Sequence, residues 1–242
     1  MKTTVVAFIF LLLFCSITMA QESWFWQNPY PQGNTLTDIF VLDQNTAVAV
    51  GQQGTILRTA DGGIHWKHQN STTSQLLNDI YFIDSDTGWA AGVLTLLKTT
   101  DGGVNWISQL DTTSYSFLSV YFTDANTGWA VGYSGTILHT TDGGINWTPQ
   151  ISGVTSYLCG VYFTDYHTGW VVGDRGTILK TMNGGAAWIL QYSETPHTLN
   201  SVYFRDTNTG WAVGIWGSVL TTTDGEDTWN YSGLTSDAFK SI

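Results

Sequence analysis

One phrase recurs about every 41 residues along this chain, so the fold must be an array of copies of a single supersecondary unit. The phrase is clearest as Val-Tyr-Phe-Thr-Asp-Ala-Asn-Thr-Gly-Trp-Ala-Val-Gly at residues 120–132, followed by Gly-Thr-Ile-Leu-His-Thr-Thr-Asp-Gly-Gly-Ile-Asn-Trp at residues 135–147. Its second half ends at Trp66, Trp106, Trp147, Trp188 and Trp229, in steps of 40, 41, 41 and 41 residues. Its Gly-Trp pair recurs at Trp89, Trp129, Trp170 and Trp211.

Each copy reads as four short antiparallel strands. In the third, Val120-Tyr121-Phe122 alternates as a first strand, and Asp124-Ala125-Asn126-Thr127-Gly128 supplies turn-forming side chains and a glycine. Trp129-Ala130-Val131 predicts a second strand, a two-residue tip between Gly132 and Gly135 a hairpin, and Thr136-Ile137-Leu138-His139 a third strand. A fourth strand follows Trp147. Four strands per ~40 residues, with no helical period in the mature chain, predict an all-β fold made of β-propeller blades. The tryptophans then pack between blades.

First strands start at Leu36, Leu77, Phe117, Leu158, Leu199 and Phe239, giving five complete repeats and the opening of a sixth. The sequence stops at Ile242, in register with Ile39 and Val202 and inside an expected strand, so it reads as part of a longer frame encoding a larger propeller. Trp24-Phe25-Trp26-Gln27 stands where a box tryptophan and a fourth strand would precede Leu36, and predicts an N-terminal strand that completes the final blade. An arc lacking its partner blades leaves a sheet edge open.

Residues 1–20 form a separate unit, and residues 21–242 the propeller. Lys2, an apolar run over residues 5–17 and Thr18-Met19-Ala20 follow the order of a secretory signal peptide, with cleavage expected after Ala20. The run is well short of the ~20 residues of a bilayer span, so no membrane span is expected after cleavage. Export to the periplasm, cell surface or medium follows. The formal net charge is -11, and losing Lys2 makes it more negative, which argues against nucleic acid and anionic membrane as partners. Cys159 alone survives cleavage, so no intrachain disulfide can form and a lone buried thiol is expected rather than a nucleophile. Its equivalents Thr37, Asn78, Leu118, Asn200 and Lys240 carry no common chemistry.

The segment Thr-x-Asp-x-Gly-x-x-Trp, at residues 59–66, 99–106 and 140–147, resembles the Asp-box of BNR-repeat propellers. Its members are Asp61 with Trp66, Asp101 with Trp106, Asp142 with Trp147, Asn183 with Trp188 and Asp224 with Trp229. The aspartate can accept backbone N–H bonds across the turn, the glycine can take a positive φ and the tryptophan covers the hairpin, so the box reads as a folding device. Asn183 keeps an acceptor, whereas Glu226 in place of the second glycine predicts a changed fifth turn. The full phrase, strand-Asp-x-x-Thr-Gly-Trp-Ala-Val-Gly-x-x-Gly-Thr-Ile-Leu-x-Thr-x-Asp-Gly-Gly-x-x-Trp, is similar to the photosystem II assembly and stability factor family of BNR-like propellers over essentially the whole mature chain. For photosynthetic members the resemblance implies a seven-bladed, non-enzymatic lumenal scaffold that binds a reaction-centre precursor. The same repeat occurs in exported proteins of non-photosynthetic bacteria, so the resemblance implies the fold more directly than the partner.

In such a fold the turn after the first strand and the Asp-box share one face, while the hairpin tips and blade links share the other. The tips read Gln52-Gln53, Val93-Leu94, Tyr133-Ser134, Asp174-Arg175 and Ile215-Trp216, variable and partly apolar residues on an invariant frame. They are the candidate binding surface for a protein or a glycan, the alternative being drift at solvent-exposed turns. Arg58, Arg175 and Arg205 fall on different parts of the repeat, so a sialidase-type arginine cluster is not expected. Asp38 and Asp79 share a register near the starts of adjacent inner strands, at the channel mouth, and could serve a glycosidase if held ~5 to 9.5 Å apart; the alternative is two solvated rim aspartates. Asp84-x-Asp86-x-Gly88 lacks the glutamate of a calcium loop, and His65 and His68 would point to opposite faces of a strand, so neither a metal nor a cofactor is expected. The sequence thus predicts an exported binding or assembly scaffold without catalysis, with a glycan-binding protein or glycoside hydrolase as the alternative.

Overall fold

The computed structural model describes residues 33–110, 114–225, 228–233 and 239–241. The signal segment, Trp24 to Gln27 and Glu226 lie outside the described residues. Five four-stranded sheets follow one another, each in the order first, second, third, fourth strand, and every described pairing within them is antiparallel. First strands run Leu36–Val41, Leu77–Phe82, Phe117–Phe122, Leu158–Phe163 and Leu199–Phe204. Second strands run Ala47–Gly51, Gly88–Gly92, Gly128–Gly132, Gly169–Gly173 and Gly210–Gly214. Fourth strands such as Thr148–Gln150 follow the box tryptophan as the sequence predicts.

The turn after each first strand is made by the aspartate the repeat places there. Asp124 Oδ1 accepts the N–H groups of Asn126 at 2.7 Å and Thr127 at 2.9 Å, and Asp84, Asp165 and Asp206 do the same in their blades. The Asp84 segment is therefore a turn. The glycine that follows has a packing reason: a Cβ on Gly128 would stand 2.4 Å from the Phe122 ring. That ring is held from its other side by Trp89 of the preceding blade, stacked at 3.4 Å and 8°. Trp129 on Phe163 at 3.6 Å and Trp170 on Phe204 at 3.5 Å repeat the arrangement. The Gly-Trp pair thus serves two blades, its glycine making room for a ring that the tryptophan one blade earlier covers.

The core is correspondingly divided into four apolar layers, one between each pair of successive blades. Each layer takes a first-strand phenylalanine, such as Phe122, and the strand interiors on either side of it. Stability is then a sum of nearest-neighbour interfaces rather than the property of one central core.

The Asp-box turn binds the turn after the first strand of its own blade, through Gly62 N–H to Asn45 O, Gly102 N–H to Asp86 O and Gly143 N–H to Asn126 O. The hairpin tip instead binds the link between blades, as Gly135 N–H does to Ser156 O. The two faces of the propeller are thus divided as the sequence predicts. Within the box, Thr140 Oγ1 donates to Asp142 Oδ1 at 2.9 Å, and the Asn146 N–H donates to the same oxygen at 2.8 Å. Asn183 keeps both contacts, with Thr181 and with the Ala187 N–H. In the fifth box Gly225 N–H donates to the Thr222 hydroxyl at 3.1 Å.

Candidate functional site

The first strands start around a common axis, and a cavity of about 330 Å³ opens there. Its rim is the non-repeating column Thr37, Asn78, Leu118, Cys159, Asn200 and Lys240. Where the side chain allows, each rim residue ties its blade to the next: Thr37 Oγ1 donates to Leu77 O, and Asn78 and Asn200 Nδ2 donate to Phe117 O and Phe239 O, both at 2.7 Å. Lys240 Nζ donates to Thr37 O at 2.6 Å, so the sixth first-strand segment touches the first blade. The contact joins the two ends of one register column, residues 203 apart in sequence.

One step deeper lie Asp38 and Asp79. The Ile80 N–H donates to Asp38 Oδ2 at 2.9 Å, and the Val120 N–H donates to Asp79 Oδ2 at 2.7 Å. A register shift just after Leu36 and after Leu77 sets each aspartate beside the next blade. Burial, then the charge and hydrogen-bonding contact of Asp38, push the Asp79 carboxyl far above the ordinary carboxylate range. The two carboxyls are in contact, and each is already engaged by backbone. Cys159 is half-buried, and burial with the nearby Asp174 pushes its thiol up to about 12, which keeps it a poor nucleophile at neutral pH.

The hairpin tips encircle this mouth on the same face. At each tip one non-glycine residue sits in the left-handed region: Gln53, Leu94, Ser134, Arg175 and Trp216, with φ from 53° to 58°. Such backbone is uncommon for large side chains and sets their direction firmly. Trp216 is 59% exposed, Leu94 and Tyr133 are also exposed, and Tyr133 leans on Tyr157 of the blade link with centroids 4.6 Å apart. Val93 and Ile215 are half-buried, and Asp174 Oδ1 accepts from Thr198 Oγ1 at 2.7 Å, so these three candidates act partly within the frame. Arg175 is exposed.

At the opposite end the axis is packed by Phe40, Tyr81, Tyr121, Tyr162 and Tyr203, consecutive tyrosine rings standing 4.8 to 5.2 Å apart. The repeated Tyr-Phe pair carries the signal for this column: one ring turns to the axis and the other into the blade interface. Arg58 Nε donates to Gly102 O at 2.8 Å and Arg205 pairs with Asp206, while Arg175 stands on a tip, so the arginines occupy three separate places. His65 Nδ1 lies 2.7 Å from Asp61 in its box. Among the described residues no three His, Cys, Asp or Glu side chains cluster as a metal site, and no helix is long and apolar enough to cross a membrane.

Residues 17–106, 66–152 and 149–237 each match the family described as photosynthesis system II assembly factor YCF48. No curated protein matches the chain in sequence. Among solved structures, YCF48 from Cyanidioschyzon merolae is 22% identical, with 87% of this chain and 89% of that one covered and a TM-score of 0.48. A structure of YCF48 bound to D1 peptide is 19% identical over 82% of this chain and 80% of that one, also with a TM-score of 0.48. An ancestral GH74 enzyme is 15% identical with a TM-score of 0.69, covering 83% of this chain and 31% of the enzyme. At 15% identity and a TM-score of 0.69, the likeness to the GH74 enzyme shows a shared fold alone.

Proposed function

Because this chain belongs to the photosynthesis system II assembly factor YCF48 family, we propose that it is an exported, non-catalytic propeller that binds a protein partner through its tip face. One observation carries the reading: Leu94, Tyr133 and Trp216 are exposed on left-handed or adjoining tip backbone around the axial mouth. Large aromatic side chains on fixed backbone supply contact area at low entropic cost, which is what a recognition surface needs. On the opposite face the polar turn and box groups are bonded to one another, and Ile64, Ile145 and Tyr166 are exposed beside them.

The test compares immobilised wild type, a Tyr133→Ser/Trp216→Ser variant and an Ile145→Ser control on the box face, each exposed to an envelope extract of the source cells. Loss of one defined protein from the tip variant alone is expected. Equal retention of that protein by all three would overturn the reading.

A second reading, glycoside hydrolysis, has in its favour that Asp38 and Asp79 both line the axial cavity. Against it stands their direct contact, since a catalytic pair acts across a gap of about 5 to 9.5 Å. Hydrolysis of any member of a polysaccharide panel by wild type, abolished in Asp79→Asn, would reinstate it.

A further inference from the structure

A second cavity, of about 250 Å³, opens on the box face where the turns after the first strands of blades 3 and 4 meet the tyrosine column. Tyr81, Tyr121 and Tyr166 line it, together with Asp124, Asp165, Thr123 and Thr164, and no Lys, Arg or His does.

Tyr166 is not part of the repeated frame. The residue after the turn aspartate is Gln44, Ser85, Ala125 or Thr207 in the other blades, and only in blade 4 is it aromatic. The turn itself does not require a ring there, because Asp165 Oδ1 makes it by accepting the His167 and Thr168 N–H groups. Tyr166 is nevertheless 60% exposed beside the cavity, its ring resting on His167 with centroids 3.9 Å apart.

The polar lining consists of acceptors and of hydroxyls whose protons are already spent. The Tyr121 hydroxyl donates to Phe163 O at 2.9 Å, Thr123 Oγ1 to Thr127 O at 3.4 Å and Thr164 Oγ1 to Thr168 O at 3.3 Å. Asp124, like Asp165, takes its two turn N–H groups on Oδ1, so each carboxylate keeps acceptor capacity on Oδ2. Against partial burial, the His167 and Thr168 N–H groups hold the Asp165 carboxyl below its ordinary range, and it stays ionised at neutral pH.

A ligand for such a cavity must bring donors and ask for none. A sugar hydroxyl both donates and accepts, and would leave its acceptor side unmatched. An arginine guanidinium carries five N–H donors and no acceptor, stacks on aromatic faces and pairs with carboxylates through parallel bonds. An ammonium has the same charge, but its stronger hydration makes it the poorer partner for a ring-lined space. Positive charge also complements a chain whose formal net charge is -11.

We propose that this cavity docks an arginine side chain from a basic segment of a partner protein, its guanidinium stacked on the tyrosine rings and directed at the carboxylates of Asp124 and Asp165. The site lies on the face away from the hairpin tips, and the inference holds whichever ligand the tips bind.

Nuclear magnetic resonance of the protein labelled at its tyrosine rings tests it. The probes are acetyl-Gly-Arg-Gly-amide, its lysine and citrulline counterparts, and cellotriose; citrulline keeps the planar shape and removes the charge. The arginine peptide is expected to shift the Tyr121 and Tyr166 ring signals, to bind roughly tenfold more tightly than the citrulline peptide, and to weaken as salt rises. Asp124→Asn/Asp165→Asn, whose amide oxygens still accept the turn N–H groups, should weaken arginine binding by roughly tenfold or more. Tyr166→Ala, which alters only an exposed ring and should melt with wild type, is expected to weaken it severalfold. Absence of any shift with millimolar arginine peptide would overturn the proposal, as would lysine or citrulline binding as tightly as arginine, or Tyr166→Ala binding as wild type does. A tighter response to cellotriose would overturn it too, by making the cavity a glycan site.

Discussion

The buried carboxyl of Asp79 touches that of Asp38 one blade away, and each accepts a backbone N–H from the blade that follows it. Two ionised carboxylates cannot share such a place cheaply, so the native state keeps a proton there that the unfolded chain releases. With the Asp79 carboxyl held far above its ordinary range by burial and by Asp38, this group disfavours folding increasingly as pH rises above the unfolded value of about 4. Thermal stability of wild type is therefore expected to fall across pH 5 to 8. Asp79→Asn should flatten that slope and stabilise the protein at pH 8 by on the order of 1–3 kcal/mol, because the amide still accepts the Val120 N–H and donates to Asp38 without charge. Melting curves at half-unit pH steps decide it: parallel curves for the two proteins would remove the shared proton.

Trp129 is fully buried, stacks on Phe163 at 3.6 Å and donates to Gly184 O of the next blade. Trp129→Ala removes an entire ring from one inter-blade layer, with little chance for two sheets to collapse into the space. A loss of roughly 3–5 kcal/mol is expected in urea unfolding. Ser134→Ala, at an exposed tip, should change stability by no more than about 0.5 kcal/mol. Coincident unfolding midpoints for the two variants would contradict the layered core.

These interfaces were legible in the sequence because the same contact is made at every step, and repeated contacts leave repeated residues. Trp89, Trp129 and Trp170 announce themselves by register, as do the turn aspartates. The axial mouth was harder to read for the opposite reason. Thr37, Asn78, Leu118, Cys159, Asn200 and Lys240 form one rim, yet each meets a different pair of neighbours, so no common residue type marks them. Cys159 was expected to be buried; it is half-buried because the cavity opens beside it. Gln150 and Gln191 lie between these cases, since their spacing from the box tryptophans repeats but their bonds cross to the next blade.

The Asp-box makes its own prediction through the one copy that carries asparagine. Asn183 holds Thr181 Oγ1 at 3.0 Å and the Ala187 N–H at 2.9 Å, the same pair of contacts that Asp142 makes with Thr140 and Asn146. A single acceptor oxygen is therefore sufficient, and charge is not required for the turn. Asp142→Asn should melt with wild type at pH 7, whereas Asp142→Ala should melt roughly 2–4 °C lower, the scale of one lost hydrogen bond in a chain of this size. The acid limb separates charge from shape. The bonds from Asn146 hold the Asp142 carboxyl below its ordinary range, so its contribution is present above about pH 4 and lost as pH falls through the native value. Asp142→Asn should lose less stability than wild type between pH 4 and 2. An asparagine variant that melts as low as the alanine variant at pH 7 would show that ionisation, not the acceptor, holds the turn.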